Sequence, residues 1–162
     1  METTFSLIPD KTVCPILIKN NGKSYFTLYY FAEQSDFVLH NKNLLYFSSA
    51  EEMSSFCTKY DLDSADEIVE HDFDTPISNP IDYNRVLDNW NLLNTISGIF
   101  GMFFEGNLKK YNSLYDLLFR LCTPIEPIPP TYDVGEKYLN DILKIFRKKD
   151  RYFERFELYQ EG

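Results

Sequence analysis

Basic residues, histidine and cysteine are all scarce in this 162-residue chain: 16 Lys and Arg stand against 25 Asp and Glu, with two His and three Cys. The pI near 4.7 opposes a polyanionic target such as nucleic acid. Cys14, Cys57 and Cys122 are odd in number and far apart, so they supply neither a disulfide framework nor a metal knuckle. They are expected as reduced, buried thiols of a cytosolic protein. His40 and His71 have no G-x-S-x-G elbow or comparable context, which leaves nucleophilic catalysis without support. No glycine falls in a phosphate-cradling pattern, and no cofactor motif is present. The most apolar stretch, residues 90–104, is interrupted by Asn91, Asn94, Thr95 and Ser97 and falls short of a membrane span. Met-Glu-Thr-Thr-Phe at the start lacks a basic region followed by an apolar one, so no secretory signal is expected.

What is abundant is acid, and it is concentrated. Residues 1–50 and 89–162 are each balanced, whereas residues 51–88 hold eleven acids against only Lys59 and Arg85. The whole net charge of −9 therefore sits in that stretch. Such a localised field attracts a cation, a basic protein or a basic peptide. The expectation is an acidic binding surface, not a catalytic pocket.

A hydrophobic fraction of 44% and an aromatic fraction of 17% require a real core, and the length suits one domain. The first half reads as strands. Val13–Lys19 and Tyr25–Phe31 flank Asn21-Gly22, a strong hairpin signal. Neither face of the second run is polar, which suits a central strand covered on both sides. Phe37–Leu39 and Asn43–Phe47 add strands around a polar turn at His40–Lys42, giving an antiparallel meander. Ser49 with Glu52 three residues on is a capping-box spacing for a short helix to about Tyr60, with Met53, Phe56 and Cys57 on its apolar stripe. Ile68–Phe73 reads as an edge strand guarded by its acids.

Helices dominate the second half. Asp82 caps a helix from Tyr83 to about Met102, apolar around most of its circumference, with Gly98 and Gly101 permitting close approach. Asn112–Leu121 is another helix, and Cys122–Pro130, with four prolines, is polyproline-like coil. A final helix is expected over Val134–Phe156, with Lys144, Arg147, Lys148, Lys149, Arg151 and Arg155 at its basic end. Strands first and helices after argue a single α+β domain, with residues 1–74 mainly strands and 82–158 mainly helices.

Specific chemistry is thin. A calcium loop aligned on Asp61 and Asp63 meets Ala65 and Asp66 where a ligand and a glycine belong. In a strand, His71 and Phe73 face opposite to Asp72 and Asp74, which splits the one histidine from two carboxylates. The basic C-terminal residues favour the end of a helix dipole more readily than they read as a nucleic-acid site. Trp90 reads as a core anchor, and the asparagines at 89, 91 and 94 need partners if buried.

Three phrases, L-Y-F-S-S-A-E-E at 45–52, V-E-H-D-F-D at 69–74 and D-N-W-N-L-L-N at 88–94, carry a resemblance to the immunity proteins of bacterial contact-dependent growth inhibition systems. It spans residues 44–101 and rests on element order and the W-N-L-L phrase. It implies a cytoplasmic, non-enzymatic protein that binds and neutralises a delivered toxin domain, commonly a nuclease, as the monomeric partner in a heterodimer, with no nucleic acid and no membrane involved. A nuclease site is basic because it holds phosphate, so an acidic surface can occupy it. The residues expected to bind are Asp61, Asp63, Asp66, Glu67, Glu70, Asp72 and Asp74, with Tyr60 and Tyr83 as aromatic anchors. Two alternatives from the residues themselves are a metal-assisted hydrolase using the carboxylates of 61–74 and an acidic adaptor for a basic protein.

Overall fold

A computed structural model describes residues 12–30, 36–78, 81–122 and 135–160. Asn21 and Gly22 both adopt positive φ (54° and 72°), the type I′ geometry that matches strand twist, and fold β1 (Thr12–Asn20) onto β2 (Lys23–Tyr30). The register pairs Val13 with Tyr30 and Asn20 with Lys23. Asp36–Phe37 (β3) lies antiparallel on the far side of β2, so β2 is central as its two-faced sequence demands. On one face Val13, Leu28 and Tyr30 join Phe47, Met53, Phe56 and Cys57 in the core. On the other, Ile18 and Tyr25 are buried, and the Tyr25 ring packs on Phe153 and Phe156 at 5.7 and 5.4 Å.

A second hairpin joins β4 (Leu39–His40) to β5 (Asn43–Tyr46) through Asn41 and Lys42, again both at positive φ (51° and 71°). Phe47 then bridges to Phe26 of β2. The chain enters α1 (Ala50–Lys59) at Ser49, whose hydroxyl accepts from the Glu52 amide at 3.2 Å. Ser48 completes the cap by donating to the Glu52 carboxylate at 2.8 Å.

The strands after α1 correct the all-antiparallel expectation. Both β6 (Asp63–Ser64) and β7 (Val69–Asp72) lie parallel to β1, on its edge opposite β2, so the sheet is mixed. A helix between the strands makes that possible, since a crossover is what parallel pairing requires. As expected of an acid-guarded strand, β7 is at an edge.

The architecture is α+β, and the described residues pack as two compact units. One is drawn from Met1–Asp74 and Phe153–Gly162, the other from Thr75–Tyr152. In the second, Asp82 caps α2 (Tyr83–Phe100) by accepting from the Arg85 amide at 3.1 Å. Asn84, Asp88, Asn91, Asn94 and Gly98 form an exposed stripe along it, so α2 is not buried all round. Its glycines do not mediate close approach either. Gly98 has open space around it, and Gly101 ends the helix in the left-handed conformation at φ 64°. Two 3₁₀ turns, Glu105–Asn107 and Lys109–Tyr111, lead into α3 (Asn112–Cys122), which buries Leu114 and Leu118. The expected polyproline coil lies outside the described residues beyond Cys122.

The long final helix is a second correction. It ends at Phe146 as α4 (Gly135–Phe146), a turn follows at 147–149, and one further turn forms α5 (Asp150–Phe153). The chain then extends as β8 (Glu157–Leu158), parallel to β5. Burial explains the break, because Tyr152, Phe153 and Phe156 are all buried and a continuous helix through four basic residues would present them differently.

Candidate functional site

The acidic segment begins where α1 ends. Asp61 takes positive φ (55°), a conformation Asp tolerates, and Leu62 donates back to the Cys57 carbonyl at 2.9 Å. This turn brings Asp63 opposite Thr12 at the sheet edge, where its carboxylate accepts from the Thr12 hydroxyl at 3.5 Å. Ala65 still donates to the Val13 carbonyl at 2.9 Å, and pairing then lapses over residues 66–68, where Asp66 and Glu67 are exposed between β6 and β7. Beside them Ile68 and Val69 are 42% and 45% exposed. An apolar pair that open, flanked in the chain by Asp66, Glu67 and Glu70, is unusual at a sheet edge. The sequence signal is the I-V dipeptide inside an otherwise charged run.

The remaining acids are engaged by the fold. Glu70 pairs with Lys19 of the neighbouring strand at 2.6 Å, which holds the ammonium above its ordinary pKa, with Asp72 and Asp74 adding to the field. Asp72 accepts from the Asp74 amide at 2.8 Å. Asp74 in turn accepts from the backbone amides of Asn21 and Gly22 at 2.5 and 3.0 Å. The seven acids predicted as one surface therefore divide: Asp61, Asp66 and Glu67 are exposed, Asp63 is exposed but bonded to Thr12, Glu70 is tied to Lys19, and Asp72 and Asp74 organise the hairpin end.

Of the expected aromatic anchors, Tyr60 is half-buried at the end of α1, its ring 4.6 Å from Phe56. Tyr83 opens α2 in the second unit, also half-buried. His71 pairs in register with Ile18 and is half-buried. Beneath the acidic bend, α1 and the strand crossover enclose a groove of about 310 Å³ with Met53, Cys57, Ala65 and Ile68 in its lining and Asp66 at its rim. Burial pushes the Cys57 thiol up from its ordinary pKa, which keeps it protonated and unreactive.

The basic C-terminal residues do not form one stripe. Arg151 donates to the Phe103 carbonyl and to the Tyr152 hydroxyl at 2.8 Å while stacking on the Tyr152 ring. Only Arg147, Lys148 and Arg155 of that run, with Lys144 on α4, are exposed.

Among the described residues no three His, Cys, Asp or Glu side chains converge as a metal site. No helix among them is long and apolar enough to cross a membrane. No protein-family model matches the chain, and no curated protein does. One solved structure does share its fold: the C-terminal domain of SatS, in complex with bromine, aligns with a TM-score of 0.58 over 91% of this chain and 94% of that one, at 14% identity.

Proposed function

We propose that the chain is an immunity-type inhibitor, a binding protein whose acidic sheet edge captures a basic toxin domain of the nuclease class in the cytoplasm. The observation that carries the reading is the run of exposed acids Asp61, Asp63, Asp66 and Glu67 that leads along the sheet edge to the exposed pair Ile68 and Val69. Charge of one sign beside a small apolar pair matches the anatomy of a steered interface. The acids raise the encounter rate, and the apolar pair provides area to desolvate. A nuclease cleft built to hold phosphate offers the complementary positive surface. Fast capture matters for an inhibitor because the toxin acts on arrival.

The resemblance of residues 44–101 to growth-inhibition immunity proteins supplies the biological setting. Co-purification with the C-terminal domain encoded immediately upstream of its gene, and rescue of cells from that domain, test it directly. Combined reversal of Asp63, Asp66 and Glu67 to Lys should slow association by roughly ten- to a hundredfold at low salt and leave the melting temperature nearly unchanged. Association that is indifferent to both the reversal and added salt removes this edge from the interface. Binding to a basic cytosolic protein without rescue favours the adaptor reading instead.

A further inference from the structure

The second unit holds a cleft of about 500 Å³ between α2, the first 3₁₀ turn and the start of α3, a size within the range of small-ligand sites. Half-buried Tyr115 gives it an aromatic wall, backed by the buried Trp90, with ring centroids 5.5 Å apart and planes at 67°. Asn91, Asn94, Asn107 and Asn112 line the rest, together with the carboxylate of Asp116.

Two hydrogen bonds orient the amides. Tyr115 donates its hydroxyl proton to Asn91 Oδ1 at 2.8 Å, and Asn107 Nδ2 donates to Asn94 Oδ1 at 2.9 Å. With those oxygens occupied, the Nδ2 groups of Asn91 and Asn94 are the ends left to donate to another molecule, and Asn107 Oδ1 is the end left to accept. Gly106 borders the cleft beside the indole, and a Cβ there would stand 2.7 Å from Trp90 Nε1. Glycine at this position lets the backbone pack close against the indole, which is only 2% exposed.

We infer that this cleft binds a neutral, hydroxyl-rich ligand of the saccharide class. Hydroxyl groups donate and accept at once, which is what an alternation of amide donors and acceptors satisfies. The partly exposed Tyr115 ring offers a surface against which the C–H face of a sugar ring packs. The lone carboxylate accepts from hydroxyls and disfavours phosphates and other anions, and no cationic side chain lines the cleft. A nucleobase prefers a parallel slot between rings, and two rings at 67° provide none. The amide pairs also tie α2 to the 3₁₀ turn and α3. That purely structural role does not account for Asn112 and Asp116, which take no part in the two ties and still line the cleft.

Trp90 is the chain's one tryptophan, so its emission reports on this cleft specifically. The test titrates the full chain at millimolar concentrations with glucose, galactose, mannose, N-acetylglucosamine, maltose and lactose, and with adenosine for comparison. The expected result is a saturable emission change, and a matching rise in melting temperature, with at least one sugar. Asn112→Ala and Asp116→Ala, both at exposed positions, should each weaken it by roughly tenfold while melting like the parent without sugar. No saturable response to any of the sugars, an undiminished response in both variants, or saturation by adenosine alone overturns the inference.

Discussion

The Asp74 carboxylate closes over Gly22, accepting from its backbone amide at 3.0 Å while its other oxygen accepts from the neighbouring Asn21 amide. Both residues of that turn have positive φ, and their amides point the same way, which is a small anion nest built by the hairpin. The chain fills the nest with its own side chain. Asp74→Ala should therefore destabilise the protein by about 1 to 2 kcal/mol, with Asp74→Asn in between, while Asp66→Ala changes stability by less than about 0.5 kcal/mol. Urea unfolding midpoints measure the difference. Equal midpoints for the Asp74 and Asp66 variants would assign Asp74 to the binding surface instead.

Two glycines should respond in opposite directions. Ala at Gly106 would place a Cβ 2.6 Å from the Phe104 ring and 2.7 Å from Trp90 Nε1, between two side chains that are each 2% exposed. Neither ring can swing away, so Gly106→Ala is expected to cost about 2 to 3 kcal/mol. Gly98 lies within α2 with nothing within 4 Å of the added methyl. Gly98→Ala should stabilise by about 0.5 to 1 kcal/mol. A pair of denaturant curves checks both signs.

Features carried by neighbouring residues were legible in the sequence. The Asn21-Gly22 turn, the Ser49 and Asp82 caps, and the Leu114–Leu118 stripe each depend on groups a few positions apart. What escaped was long-range. Pairing of β7 with β1 joins segments about 50 residues apart, and a short acidic strand gives no sign of whether it runs parallel or antiparallel. The final helix breaks at Arg147-Lys148-Lys149, with no glycine or proline to announce it, because three aromatic residues downstream find burial elsewhere. The acidic site shows the same division. Charge is additive along a sequence, so the block at 61–74 was visible, but the partner of Asp74 is 52 residues away and only the fold reveals that this acid is spoken for.

The tail that replaces the expected helix end should matter for stability. Phe156 is buried against Tyr25 and Phe153, with ring centroids at 5.4 Å in each case, and His40 pairs with Glu157 on the adjoining strand β8. Phe156→Ala is expected to cost about 3 to 5 kcal/mol, the range for a buried phenylalanine that leaves a cavity. Leu158→Ala, at a partly exposed position on β8, should cost far less. Thermal melting of the two variants decides whether the tail is a structural element of the first unit or an appendage to it.

Alkaline pH should weaken the fold, and the thiols give the sign. Desolvation raises the pKa of Cys14, Cys57 and Cys122 above the ordinary 9.0, and Asp88 and Asp82 add to the effect at Cys122. Below pH 9.0 both folded and unfolded chains hold these protons, so the stability associated with them is fully present. Above it the unfolded chain ionises first and binds fewer protons than the folded one, so stability falls until pH passes the raised folded values. Lys19, held protonated by Glu70, contributes in the same direction. Unfolding free energies measured from pH 8 to 11 should decline, and the decline should be shallower in Cys57→Ala even though that variant is less stable throughout. A slope identical to the parent's would mean that the Cys57 thiol ionises as readily folded as unfolded. Alkylation separates the cases independently, because a protected Cys57 reacts slowly at pH 8 in the native protein and at the rate of a free thiol once urea unfolds it.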